Sequence, residues 1–171
     1  MTMIETKRLT LREITTDDAA FILDLLNDPS FLQFIGDRGV RTLNDARDFI
    51  TSRYIAAYER LGFGLYLTLL KESQTPIGIC GLIKRNGLEQ VDIGYAFLPQ
   101  FWLKGYAFES ASAVMEYARD TLGLKRILGI TTPDNKGSIH VLEKLGMNFE
   151  RMVKLPEDKE ELMLFAWEEG N

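Results

Sequence analysis

Lys104 and Gly105 stand where a strand-like run passes into a helix-like one, in DIGYAFLPQFWLKGYAFES (92–110). No Ser, Thr, Asp or Asn precedes that helix as a cap, so its first N–H groups lack a side-chain partner. Lys104 puts a positive charge at the positive end of the helix dipole, which costs roughly a few tenths of a kcal/mol. Gly105 weakens a helix by up to about 1 kcal/mol but lets another backbone or a ligand come close. A docked anion would answer the amides, the dipole and Lys104 together. An ordinary loop with a solvated helix start is the other reading of the same residues. The segment is neither a P-loop nor a dinucleotide fingerprint. Phe101 and Trp102 beside it read as core aromatics.

Two further patterns flank this loop. On the preceding strand Val91, Ile93, Tyr95 and Phe97 point one way, and Asp92, Gly94 and Ala96 the other. The second face is small and holds one carboxylate, which leaves room for a ligand or for a packed helix. Downstream, Asn135, Ser138, Leu142 and Leu145 share one helix face, opposite Lys136, His140, Glu143 and Lys144. Two polar residues thus sit on an apolar face, where burial demands partners. Asn135 can also simply cap that helix. His140 reads as a surface residue, and Cys80 between Gly78 and Gly81 as inert core.

Composition narrows the chemistry further. The chain has 171 residues, one Cys, one His and a formal net charge of −5. Its length suggests one domain, 1–171, large enough to bury a core without staples. One Cys and one His argue against an internal disulfide and against Cys- or multi-His-based metal sites, so no metal is expected. Twenty-five acids against twenty bases give no net basic field for nucleic acid. The charged N-terminal residues leave no signal-peptide core, and no run is apolar enough to span a membrane. A cytoplasmic protein is expected.

These residues need a frame. RLTLREI (8–14) reads as a first strand. A helix with Ala19, Ile22, Leu23 and Leu26 follows, capped by Thr16 or Asp17 and stopped by Pro29. A second helix begins near Thr42 and ends at Gly62–Gly64. LYLTLL (65–70), PIGICGLI (76–83) and QVDIGYAFL (90–98) read as antiparallel strands. A helix over 105–121, a strand over 126–131, a helix over 135–145 and a hairpin of 149–155 with 161–167 complete the order. It predicts an α/β (α+β) domain, a central mixed, mostly antiparallel sheet of about seven strands flanked by about four helices.

The 92–110 segment resembles the acetyl-coenzyme A motif of the GNAT superfamily of N-acetyltransferases. PDNKGSIHVLEKLGM (133–147) resembles the motif that follows it there, and IETKRLTLRE (4–13) the opening of the ribosomal-protein N-terminal acetyltransferase branch. The resemblance implies a sheet whose fourth and fifth strands splay apart around acetyl-CoA. The pantetheine arm would pair with the strand near Phe97 and Leu98. The pyrophosphate would lie on the amides of Leu103, Lys104, Gly105, Tyr106 and Ala107, and Asn135 would contact the pantetheine or thioester region. Trp102 holds the first position of the family's pyrophosphate pattern, where Gln or Arg is usual. Leu103 stands where the branch often has Gly, and Ala96 where it often has a bulky aromatic. Leu142 occupies the place of a Tyr general acid, which leaves Ser138, water or no specific group to protonate the leaving thiolate. Met147 replaces the usual Phe.

The function so implied is direct acetyl transfer from acetyl-CoA to a primary amine, with no covalent enzyme intermediate. Asp92 is the candidate base, acting through water. An amide near Phe97 or Leu98 would polarise the thioester carbonyl. The acceptor is a protein N-terminus or a small amine such as an amino acid, polyamine or aminoglycoside. Residues 28–43 would form part of its wall. A non-catalytic CoA-binding module is the rival reading, and the chain is expected to act as a monomer or homodimer.

Overall fold

The computed structural model describes residues 2–170. Apolar alternation builds eight strands into one sheet. They are β1 (Met3–Glu5), β2 (Leu9–Glu13), β3 (Leu65–Leu70), β4 (Pro76–Ile83), β5 (Asp92–Phe97), β6 (Arg126–Thr131), β7 (Asn148–Val153) and β8 (Leu162–Glu168). Their spatial order is β1-β2-β3-β4-β5-β6-β8-β7. Every neighbouring pair is antiparallel except β5 with β6, which is parallel. A parallel pair needs a crossover, and α5 (Tyr106–Asp120) supplies it. The expected mixed sheet is therefore present, with one more strand than expected. The extra one is β1, a three-residue edge strand too short to announce itself by periodicity.

Two helical layers cover the sheet. On one face lie α1 (Ala19–Leu26), α2 (Pro29–Phe34) and a longer run made of α3 (Leu43–Phe49), a π-helical segment (Ile50–Ile55) and α4 (Ala56–Leu61). On the other lie α5 and α6 (Lys136–Lys144). Ile22, Leu25, Ile50 and Tyr54 pack with Leu67 and Ile79 on the first face. Val114, Met115, Ala118 and Leu142 pack with Tyr66, Ile93 and Phe97 on the second. Cys80 is fully buried there, and burial pushes its thiol up to about 12.

Local signals set most boundaries. Thr42 accepts from Asp45 N, and Asp45 accepts back from Thr42 N, a reciprocal cap that starts α3. Gly62 ends α4 at φ +80°. Two expectations are corrected. The first cap is Thr15, which with Asp18 closes a short 3-10 turn ahead of α1. Pro29 opens α2 as well as following α1, because the Asp28 carboxylate accepts from Ser30 N and a proline at the first helical position gives up no bonded N–H.

Candidate active site

The β5–β6 ladder is short. It registers Asp92 with Leu128 and Ile93 with Gly129, and ends there. Beyond it the two strands part. Gly94, Tyr95 and Ala96 are half-buried, although β5 is a central strand. Leu98 N donates to Ile77 O on β4, and Leu128 N donates to Val91 O from the β6 side. Because peptide groups alternate along a strand, the even-numbered amides of β5 face β4 and the odd-numbered ones face β6. The N–H groups of Tyr95 and Phe97 therefore point into the opening. Leu98 N–H does not.

The loop that follows is held by Trp102. Its indole Nε1 donates to Phe97 O at 2.8 Å, and its ring is 44% exposed, so it is not a core aromatic. Leu103 then adopts φ +61° with its side chain wholly in solvent. A left-handed Leu costs about 1 kcal/mol, and this conformation is why glycine is common at such a position. Gly105 sits at φ +84° and opens α5 without a side-chain cap. Glu109 N to Gly105 O is the first helical bond. Among the described residues, the amides from Leu103 to Phe108 have no protein acceptor.

Charge gathers beside these amides. A Cβ placed on Gly105 would stand 3.2 Å from Arg8 Nη2. Arg8 lies over the Tyr106 ring at 4.5 Å and bonds Glu109 through Nε at 2.7 Å. Glu109 also accepts from Thr6 Oγ1 and Arg8 N, which ties the β1–β2 turn to the first turn of α5. These hydrogen bonds, with Arg8, hold the Glu109 carboxyl below its usual range despite partial burial. Arg8 and Lys104 thus bring two cations to one helix start. Sequence reasoning found Lys104 but missed Arg8, whose only signal was its place in the IETKRLTLRE opening.

Across the opening, Asn135 caps α6: Ser138 N donates to its Oδ1 at 3.2 Å. Its carboxamide NH2 is left to donate elsewhere. Burial pushes the Tyr95 phenol up to about 12, and the neighbouring Ser138 holds it down in part. In the sequence Tyr95 reads as an ordinary strand residue, with no sign of a functional role. Leu142, a turn beyond Ser138, is packed against Gly129, where an added Cβ would meet it at 2.8 Å. The nearby Thr132 Oγ1 is buried without a hydrogen-bond partner. His140 is exposed.

Asp92 lies at the closed end of the opening and is fully buried. Arg85 Nε bonds its two carboxylate oxygens at 3.0 and 3.1 Å. Burial raises its pKa to about 6, and Arg85 offsets part of that rise. Among the described residues no group of acidic, His and Cys side chains is arranged to hold a metal. No helix among them is long and apolar enough to cross a membrane.

A sheet split at one parallel pair, with a run of bare amides at the end of one branch, defines an acyl-coenzyme A transferase of the GNAT type. The chain belongs to that family: the acetyltransferase (GNAT) domain model matches residues 8–148. An uncharacterized N-acetyltransferase of Bacillus subtilis, YnaD, is 31% identical over 88% of this chain and 85% of its own. A GNAT-family acetyltransferase structure from Bacillus anthracis superposes with TM-score 0.82 at 26% identity, covering 99% of this chain and all of its own. A ribosomal L7/L12 alpha-N-protein acetyltransferase solved with coenzyme A matches at TM-score 0.83 and 19% identity, over 98% of each chain. The protein is thus an acetyltransferase, and its acyl donor is acetyl-CoA.

Proposed function

We propose that the chain transfers acetyl directly from acetyl-CoA to a primary amine in the β5–β6 opening. The observation that best supports this reading is the run of unpartnered amides from Leu103 to Phe108, with Arg8 and Lys104 beside it. The amides of Leu103, Lys104, Gly105, Tyr106 and Ala107 are suited to the pyrophosphate, and Trp102 fixes the turn that presents them. Phe97 and Leu98 form the strand side of the pantetheine channel, and Thr132 Oγ1 and the Asn135 carboxamide offer polar groups opposite. Acetyl-CoA supplies the activated acyl group and the thiolate leaving group.

The chain's own residues divide the remaining work. Phe97 N–H, already aimed into the opening, stabilises negative charge developing on the thioester oxygen. Leu98 N–H is spent on Ile77 O and cannot share that role. Ser138 donates a proton to the departing sulfur. Tyr95 stays protonated at neutral pH and can return a proton to Ser138. Asp92, with a pKa near working pH, accepts the amine's proton through water.

The acceptor approaches from the face of Asp92, Gly94 and Ala96. A protein N-terminus is the acceptor proposed from the branch resemblance, and the small Ala96 side chain also leaves room for a small amine. The proposed setting is the cytoplasm, as monomer or homodimer.

Thiol release from acetyl-CoA tests the reading. Release that requires an amine and matches the N-acetyl product is expected. Tight acetyl-CoA binding with no amine-dependent release would define a CoA-binding module and reject transfer.

A further inference from the structure

The acceptor side of β5 carries one apolar side chain that the core does not claim. β4 and β5 pair antiparallel, with Ile79 opposite Ala96, Gly81 opposite Gly94 and Ile83 opposite Asp92. Residues opposite one another share a face, so these three rows lie on the face from which the acceptor is proposed to approach. Two glycines in the middle row would leave a trough between Ala96 and Asp92. The trough is not open. A Cβ on Gly81 would run into the Gly64 carbonyl, and a Cβ on Gly94 would stand 2.7 Å from Ile83 Cδ1. Ile83 therefore leans out of its own row and across Gly94, next to the carboxylate proposed as base. Arg85, whose Nε bonds that carboxylate, bounds the same place with Nη2 at 3.9 Å.

Core packing does not explain this posture. The buried apolar clusters take in Leu82 and Ile93 from the opposite face, and Ile79, Ala96 and Leu98 from this one. Among the described residues, none of the three clusters takes in Ile83. It is half-buried, while Asp92 opposite it is fully buried. An isoleucine is stiff at χ1, so its branched side chain keeps one position without a core around it. It shapes the space that leads to Asp92. An amine on a bare or straight carbon fits beside such a wall. A carbon branched next to the amine brings its extra methyl groups against Cδ1.

We infer that Ile83 is a specificity-determining residue: it selects acceptors with little bulk beside the amine, glycine-like or straight-chain, over those branched there. This inference rests on the transfer reading above and on the acceptor side given with it. The slim amine can belong to a small molecule or to the first residue of a peptide. The two sources present the same chemistry to Ile83.

Thiol-release kinetics on the full chain test this with matched acceptors. Glycinamide against valinamide probes a small amine. Glycyl-alanyl-alaninamide against valyl-alanyl-alaninamide probes a peptide N-terminus. Each pair differs only by an isopropyl group beside the amine. In at least one pair the glycine member should have a kcat/KM about tenfold higher or more, the scale on which an apolar wall discriminates. Ile83→Ala should raise the valine member and shrink that ratio about tenfold. Ile83→Val removes only the Cδ1 methyl that crosses Gly94, and should shrink the ratio by less with no threat to folding. The Kd of acetyl-CoA should be the same in the parent and both variants. Ratios near one in both pairs of the parent, or a ratio unmoved in both variants, would overturn the inference while transfer stands. A selectivity change matched by an equal loss of acetyl-CoA affinity would place Ile83 on the donor side and overturn it too. Thiol release with none of the four amines would overturn the transfer reading and the inference with it.

Discussion

Arg8 Nη2 and the backbone of Gly105 meet closely enough that a side chain on Gly105 would begin 3.2 Å from the guanidinium. The two come from segments remote in sequence and are joined through Glu109, which bonds Arg8 from 101 positions away. Arg8 thus stands over the helix start where the pyrophosphate is proposed to dock. Arg8→Ala should raise the Kd of acetyl-CoA about tenfold, with the loss shrinking as salt is added. Titration calorimetry at low and high ionic strength checks this. An unchanged Kd at low salt would remove Arg8 from the site.

Glu109→Gln should weaken the same site indirectly. It removes the charge from an acceptor of three hydrogen bonds that anchor Thr6 and Arg8. A loss of about 1–2 kcal/mol in unfolding free energy is expected, less than for a buried group because Arg8 is partly exposed. The folded carboxyl is held below its unfolded value, so this stability is present above the unfolded pKa, near 4.3, and is lost as pH falls through the folded one. Urea melts at pH 7 and pH 3 should show the variant and the parent converging in acid.

The Asp92–Arg85 pair makes a prediction about pH and rate. Asp92 titrates at about 6 in the folded chain, so base catalysis requires pH above that value. The pH profile of kcat/KM should fall on the acid side through an apparent pKa near 6, and Asp92→Asn should lower the plateau and erase that limb. Arg85→Gln removes the charge that holds the pKa down, so the limb should move to higher pH. A limb unaffected by either change would assign it to another group. For folding the sign is opposite to the usual carboxylate. A raised folded pKa makes Asp92 cost stability as pH rises from about 4 to about 6.

Leu103 should tolerate glycine better than most positions do. Its φ of +61° carries left-handed strain, and its exposed side chain packs on nothing. Leu103→Gly should hold or raise Tm, while Leu103→Val should lower stability by about 1–2 kcal/mol because a branched Cβ fits this conformation worse. Differential scanning calorimetry separates the two. A clear fall in Tm for Leu103→Gly would show that the loop depends on the leucine.

Several parts of this structure were legible in the chain. Alternating β5 residues placed Asp92, Gly94 and Ala96 on one face, and the missing cap marked Gly105 as a helix start open to an anion. Those signals are local, carried by residue type and spacing. What escaped was set by distance or by backbone. Leu103 gives no sequence sign of a positive φ. Pro29 reads as a helix stop, although Asp28 beside it also makes it a start. Arg8 reaches Gly105 only because the fold brings segments remote in sequence together at the start of α5. Tyr95 looked like any strand aromatic until the parting of β5 and β6 set it against Ser138.

Amide chemical shifts of the isotope-labelled protein, followed as coenzyme A is added, test the central placement most directly. The amides of Leu103, Lys104, Gly105, Tyr106 and Ala107, together with those of Tyr95 and Phe97, should move first and furthest. The Leu98 amide, bonded to Ile77 O, should move less. Shifts that spare the 103–107 run, or that centre on the β7–β8 hairpin, would contradict the proposed site.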